Sequence, residues 1–253
     1  MRRIRLVVAY DGTNYSGWQM QNNAVTIEGE LRKGLRNLLG EEIELIGASR
    51  TDAGVHAMGN LAVFDTESQI PEDKFAIALN HFLPEDIRVQ CSDEVSLEYH
   101  PRYQKTEKTY EYTVLNTKIA LPAWRLYSYH VYQNLNVGEI KKAAQILEGE
   151  HDFSAFCSAG SQVKSKVRTI YEVSIHEEPI VAENGGKIIR FRVRGNGFLY
   201  NMVRIVVGTL LEVGMERRTV ESVREALVTG KRQKAGPTAP PQGLVLLKIQ
   251  QSN

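Results

Sequence analysis

GASRTDAGVHA occupies Gly47 to Ala57, between an apolar run from Ile43 to Ala48 and a second that begins at Leu61. Short apolar runs bounded by turn residues read as buried strands. The stretch is therefore a tight bend between two predicted core strands. Asp bonds its own backbone and Gly accepts positive φ, so an ordinary Asx-type turn accounts for Asp52 and Gly54 as a bend. It does not account for Arg50 beside the acid, nor for the small pair Ala53-Gly54 directly after it.

Outward from this bend, the first half reads strand, helix, strand, strand, helix, strand. Arg3 to Ala9 is apolar and β-branched and ends at Tyr10-Asp11-Gly12. Thr26 is placed to cap a helix carrying Ile27, Leu31, Leu35, Leu38 and Leu39, which Gly40 stops. Glu42 to Ala48 and Asn60 to Asp65 are the middle strands. Pro71 opens a helix with Phe75, Ile77, Ala78, Leu79 and Phe82, and Ile87 to Cys91 closes the half.

The second half repeats the order. Thr109 to Leu115 alternates, with Tyr110, Tyr112 and Val114 on one face and Thr109, Glu111 and Thr113 on the other. A short aromatic strand falls within Arg125 to Tyr132, and an amphipathic helix runs from Val137 to Leu147, stopped at Gly149. Strands near Arg168 to His176 and Lys187 to Arg194 flank Asn184-Gly185-Gly186, a hairpin signal. An apolar helix from Phe198, a shorter one near Val220 to Val228 and a strand from Leu244 to Ile249 complete the chain. This order predicts an α+β fold of two ferredoxin- or RRM-like β-α-β-β-α-β halves, residues 1–104 and 105–253, packed about a central cleft. Tyr99 to Lys108 is the join.

Hydrophobic residues make up 42% and charged residues 24% of the 253 residues, an ordinary soluble composition. The most apolar stretch, Phe198 to Val213, contains Asn201, Arg204 and Glu212, and no window reads as a membrane span. The basic-then-apolar N-terminus is too short for a signal peptide, which predicts a cytoplasmic protein. Cys91 and Cys157 form no C-x-x-C pair and read as reduced structural thiols, and the scattered histidines predict no metal site. The net charge of +1 hides an asymmetry: residues 1–104 hold 10 Lys and Arg against 16 Asp and Glu, and the remainder holds 21 against 14. Lys164, Lys166 and Arg168, then Lys187, Arg190, Arg192 and Arg194, lie in stretches without an acid. This points to a polyanion partner, or to two solvated faces that attract one another.

Four features carry candidate chemistry. Asp52 and Arg50 share the opening bend. Arg204 stands within FLYNMVRIVVGTLL, where a guanidinium that cannot lose its proton needs an anion. It meets Asp52 across the cleft, pairs with an acid such as Glu212, or snorkels out of the core. Tyr110 is either a stacking group or core packing. GPTAPPQGLVLL places a rigid loop before the last strand. A carboxylate beside arginine suits a nucleophile or base, whereas paired-carboxylate hydrolysis needs a second acid, and Asp11 and Asp65 read as strand-end turn residues. The phosphate-loop, dinucleotide, nucleophile-elbow and zincin motifs are all missing from the sequence, so the reaction is expected to need no cofactor.

SRTDAGVHA, Ser49 to Ala57, resembles the G-R-T-D-A-G-V-H-A signature of the tRNA pseudouridine synthase A family. VAYDGTNYSGWQ at Val8 to Gln19, KTYEY at Lys108 to Tyr112, HDFSAFC at His151 to Cys157, GNGFLYNMVR at Gly195 to Arg204 and GPTAPPQGLVL at Gly236 to Leu246 follow the family's order. The one departure is Ser49 in place of Gly. The resemblance implies a pseudouridine synthase fold and isomerisation of uridine to pseudouridine at positions 38, 39 and 40 of the tRNA anticodon stem-loop, with no cofactor. Asp52 is then the catalytic aspartate, attacking C6 or C1′ or starting elimination from C2′. Tyr110 stacks on the uracil and helps remove the C5 proton, and Arg204 pairs with Asp52. Arg50 helps expel the target base, and Leu244 lines its pocket. Arg168, Arg190 and Arg192 are candidate phosphate contacts, and a homodimer binding tRNA across both subunits is implied. Base extrusion is required because the reacting atoms are hidden in a stack.

Two other classes compete. A non-catalytic RNA-binding protein with tandem RRM-like halves lacks its aromatic RNP1 pattern here. A single-Asp glycosidase acting on small neutral sugars has no use for the cationic stretches.

Overall fold

The structure is a computed structural model and describes residues 1–161, 163–181, 183 and 185–251. Its contacts divide the chain into two units, residues 1–106 with 245–253 and residues 107–244. The first unit thus takes in 245–253, a segment that sequence order alone assigns to the second half.

In the first unit, β1 (Arg2–Tyr10) leads to α1 (Ile27–Leu39), β2 (Ile46–Gly47), β3 (His56–Thr66), α2 (Phe75–Asn80) and β4 (Ile87–Val95). β1 buries Ile4, Leu6, Val8 and Tyr10. Its other face sets Arg3 opposite Asp65 of β3 and Arg5 opposite Asp93 of β4. Arg3 Nε donates to Asp65 at 2.6 Å and Arg5 Nη2 to Asp93 at 2.7 Å. The basic N-terminal residues are thus cross-strand ion pairs. Asp65 lies inside β3 and not at a turn, and the Arg3 guanidinium holds its carboxyl below the usual range.

Thr26 accepts from Gly29 N at 3.2 Å and Gly40 ends α1 with its N–H on Arg36 O at 2.8 Å, as the capping residues require. Ile27, Leu31 and Leu35 are fully buried, each contributing about 1.5–3 kcal/mol. α2 is shorter than its sequence pattern predicts. Phe75 and Leu79 face inward and Ile77 points away by helical spacing, whereas Phe82, which would continue the inner face, is exposed because the helix ends at Asn80. The expected strand over 42–48 contracts to β2. One edge of β3 pairs with β1, and the opposite edge is shared: Ile46 and Gly47 lie opposite Val63 and Ala62. Further along, β10 (Leu244–Gln251) runs parallel to it, with Val245 opposite His56 and Leu246 opposite Ala57.

The second unit contains β5 (Thr106–Asn116), β6 (Tyr129–Val131), α3 (Val137–Gln145), β7 (Gly149–Asp152), β8 (Val167–Pro179), β9 (Lys187–Gly195), α4 (Met202–Gly214) and α5 (Glu221–Thr229). The strands lie in the order β6-β5-β9-β8-β7. The α+β class stands, but β6, β7 and α5 lie beyond the six-element pattern, and its closing strand falls in the first unit. Gly149 does not cap α3, which ends at Gln145; it opens β7. The hairpin signal at Asn184-Gly185-Gly186 lies partly outside the described residues, at Asn184.

α4 begins at Met202 and not at Phe198. Asn201 takes a left-handed conformation (φ 59°), which breaks the helix before it starts. Arg204 therefore sits in the first turn, half-buried, and not in the middle of an apolar cylinder. Its sequence candidate Glu212 is bound by Arg218. Both cysteines are free, Cys91 exposed and Cys157 buried. Among the described residues no helix is long and apolar enough to cross a membrane.

Candidate active site

Between the end of β2 and the start of β3, residues 48–55 form the loop carrying Arg50 and Asp52. A buried polar network fixes its base. Asn60, fully buried on β3, donates to Ser49 O at 2.9 Å and to the Tyr10 hydroxyl at 3.2 Å, while its Oδ1 accepts from Leu61 N at 2.9 Å. Tyr10 Oη in turn lies 2.7 Å from Thr51 Oγ1. Ser49 and Thr51, the neighbours of Arg50, are both buried, whereas Arg50 is exposed.

The VAYDGTNYSGWQ segment wraps this loop. Trp18 N donates to Thr51 O at 3.0 Å and Gly54 N to Tyr15 O at 3.2 Å. Val55 N returns to Asp52 O at 3.1 Å, closing a turn at Asp52. Gly54 has φ +75°, a conformation that a side chain there would strain. Nδ1 of buried His56 lies 3.1 Å from Gly12 N and 3.0 Å from Asp11 Oδ1. Tyr15 donates to Asp86, and burial with that carboxylate pushes its hydroxyl pKa well up. Asp52 itself is half-buried.

None of Tyr10, Asn60 and Trp18 stands out in the sequence as a site residue. The available signal was Asn60, a lone amide inside the apolar run GNLAVF. A buried amide demands partners, and here they are the loop backbone.

In the second unit Tyr110 lies on β5 opposite Val193, 7% exposed, with its ring edge-on to half-buried Phe198 at 5.3 Å. Tyr112, two residues on, is fully buried, and its hydroxyl donates to Pro240 O at 2.7 Å. Burial raises its pKa far above the usual tyrosine value, so it is a packing residue and a tether for the proline loop.

The same loop holds Arg204. Arg204 Nε donates to Ala239 O at 2.7 Å, Ala239 N donates back to Arg204 O at 3.1 Å, and Arg204 Nη1 donates to Asn201 Oδ1 at 2.8 Å. The loop can lie this close because position 208 is glycine: a Cβ there would stand 1.9 Å from Pro237 O. Gly236 N completes the seat on Thr209 Oγ1 at 2.8 Å. Leu244 is 5% exposed and directly precedes Val245, which pairs with His56 at the end of the Asp52 loop.

The candidate phosphate contacts divide. Arg190 and Arg192 do share a face of β9 with Arg194, but acids absent from their own strand come from its neighbours. Arg192 binds Glu111 of β5 at 2.8 Å, and Arg190 binds Glu178 of β8 and lies 3.6 Å from Glu111. Arg194 binds Glu107 at 2.9 Å. Glu111, His176, Glu178, Arg190 and Arg192 line an open depression of about 410 Å³. Arg168 differs. It is half-buried and donates to Ser165 O at 3.0 Å and Val167 O at 2.6 Å, and among the described residues no carboxylate pairs with it. Burial lowers its pKa, yet a guanidinium remains charged. Among the described residues no group of three or more His, Cys, Asp or Glu is placed to hold a metal ion.

A family model described as tRNA pseudouridine synthase matches residues 6–104 and 143–250. The chain is 45% identical over 249 residues to the tRNA pseudouridine synthase A of Acetivibrio thermocellus, covering 98% of this chain and 99% of that protein. It is 48% identical over the same shares to the proteins of that name from Thermoanaerobacter pseudethanolicus and Ruminiclostridium cellulolyticum.

Proposed function

The chain belongs to the tRNA pseudouridine synthase family, and from that premise we propose that it isomerises uridine to pseudouridine in the anticodon stem-loop of tRNA, at positions 38, 39 and 40. The observation that carries the reading is Asp52 in the SRTDAGVHA match, at a turn whose flanks are pinned by buried hydrogen bonds while the acid stays half-exposed. Supporting it, Arg50 is exposed and makes no ion pair among the described residues, as an arginine free to enter a nucleic-acid stack must be.

Asp52 opens the reaction at C6, at C1′, or by elimination from C2′. The N1–C1′ bond breaks, the uracil turns, C5 bonds to C1′, and the C5 proton leaves while N1 regains one. Atoms and electrons balance within the nucleotide. In this reading Arg204 is the counter-ion of Asp52 and Leu244 borders the base, both on the motif match. Tyr110 stacks on the uracil and relays the C5 proton, supported by its edge contact with Phe198, which fixes the ring plane. Arg168 is favoured for phosphate contact because it lacks a carboxylate; phosphate at Arg190 or Arg192 must displace Glu111 or Glu178. The proposal includes a homodimer in the cytoplasm. Incubation with unmodified tRNA and mapping of pseudouridine by chemical derivatisation tests it. Conversion at 38–40 supports the reading, and intact uridines with a folded protein overturn it.

A further inference from the structure

Tyr103 is 83% exposed, yet its ring is not loose. It stacks on His100 with centroids 4.1 Å apart and planes within 21°. His100 is itself fixed, since its Nδ1 accepts from Arg102 N at 3.2 Å and its carbonyl accepts from Tyr103 N at 3.1 Å. Tyr99, which precedes the pair, is buried; its carbonyl accepts from Arg3 at 2.8 Å and its ring lies 5.6 Å from the Arg5 guanidinium. A large aromatic ring held out into water by an immobilised imidazole buries little surface, so core packing does not explain it.

The segment is also tied to the active-site loop. Arg102 Nε donates to Gly47 O at 2.7 Å, at the end of β2 where the Asp52 loop departs. Gly47 is five residues before Asp52, at most about 18 Å of chain. Arg102 and Lys105 are exposed, and among the described residues neither has a carboxylate partner. One ring face is backed and the other is open, with cations on either side in sequence. That combination suits an unpaired nucleobase with its phosphates, because every base presents a π face.

We propose that Tyr103, backed by His100, is a stacking platform for an unpaired base of the RNA, with Arg102 and Lys105 meeting the adjoining phosphates. The inference rests on the tRNA reading above and adds to it a second base subsite, separate from Tyr110. The platform holds a nucleotide near the target and so helps decide which uridine reaches Asp52.

The test compares wild type with Tyr103→Ala, Tyr103→Trp, His100→Ala and Tyr132→Ala, the last an exposed tyrosine (67%) as control. Direct binding of unmodified tRNA, kcat and KM, and the positions modified are measured. Base–aromatic stacking corresponds to about 5- to 140-fold in affinity. Tyr103→Ala should weaken binding and raise KM within that range, leave kcat within about twofold at saturating tRNA, and alter the distribution of modified uridines. Tyr103→Trp should restore binding, His100→Ala should lose part of it, and Tyr132→Ala should match wild type. Wild-type binding by Tyr103→Ala overturns the platform, as does a changed oligomeric state without a change in RNA affinity. If wild type makes no pseudouridine, the catalytic reading fails, while the binding comparison still decides the platform.

Discussion

The Asp52 loop and the arginine face of β9 handle charge in opposite ways. The hydrogen bonds at Ser49, Thr51 and Gly54 in the loop come from neutral groups: Asn60, the Tyr10 and Thr51 hydroxyls, and backbone amides. None of these consumes the charge of Arg50, which is left exposed. On β9 the cations are denser, but the sheet register brings Glu111, Glu178 and Glu107 against them. Local charge density therefore does not show which cations are left without an acid. What matters is whether the fold spends that charge on a neighbouring acid.

β5 sharpens the comparison, because Tyr110 and Glu111 are consecutive and face opposite sides of the strand. Tyr110→Phe keeps the ring and the contact with Phe198 but loses the only atom that can relay a proton. The expected loss in kcat is about 10²- to 10⁴-fold in a folded protein, read by single-turnover kinetics. Full activity would make Tyr110 a packing residue.

Breaking the neutral network comes next. Asn60→Leu leaves Ser49 O and Leu61 N without the partners they have now. About 2–4 kcal/mol of destabilisation is expected in urea unfolding. A change below about 0.5 kcal/mol would mean that the loop does not depend on Asn60.

Salt dependence then separates spent from unspent cations. Arg168→Gln should lower the slope of log affinity for tRNA against log salt by roughly one unit. Glu111→Gln should do the reverse and steepen it, because it releases Arg192 and loosens Arg190. Equal slopes in both variants would place the RNA path elsewhere.

The smallest expected effect lies at Arg3 and Asp65. Asp65 is depressed below its unfolded value, chiefly by the hydrogen bond from Arg3. Its stabilisation is complete above the ordinary carboxyl pKa of about 3.9 and is lost as pH falls through the folded value. Asp65→Asn should cost at most about 1 kcal/mol at neutral pH, and its gap from wild type should close in acid. A gap that widens on acidification would reverse the assignment.

Much of this was legible in the sequence where the cause is local. Thr26 and Gly40 announce the ends of α1, and alternation gives the two faces of β5 and β9. The motifs single out Asp52, Tyr110, Arg50, Arg204 and Leu244 as the proposed site residues because their spacing is a property of the chain itself. The rest depended on what the chain meets at long range. Nothing near residue 190 discloses Glu111, 79 positions earlier and one strand away. The late start of α4 follows from one left-handed residue, Asn201, inside a run that is helical by hydrophobicity. β10 joins the first unit because β3 has a vacant edge beside the Asp52 loop, a fact about the sheet and not about the last residues.

The most direct measurement is pseudouridine formation by Asp52→Asn set beside its tRNA affinity. The amide keeps the size of the carboxylate and is a very poor nucleophile or base. The hydrogen bonds from Asn60 to Ser49 O, between Tyr10 and Thr51, and from Gly54 N to Tyr15 O are made by groups other than the Asp52 side chain, and circular dichroism checks that the variant is folded. The expected result is no detectable turnover with affinity within a few-fold of wild type. Turnover near the wild-type rate in a folded Asp52→Asn protein would contradict the assignment of Asp52 as the group that starts the reaction.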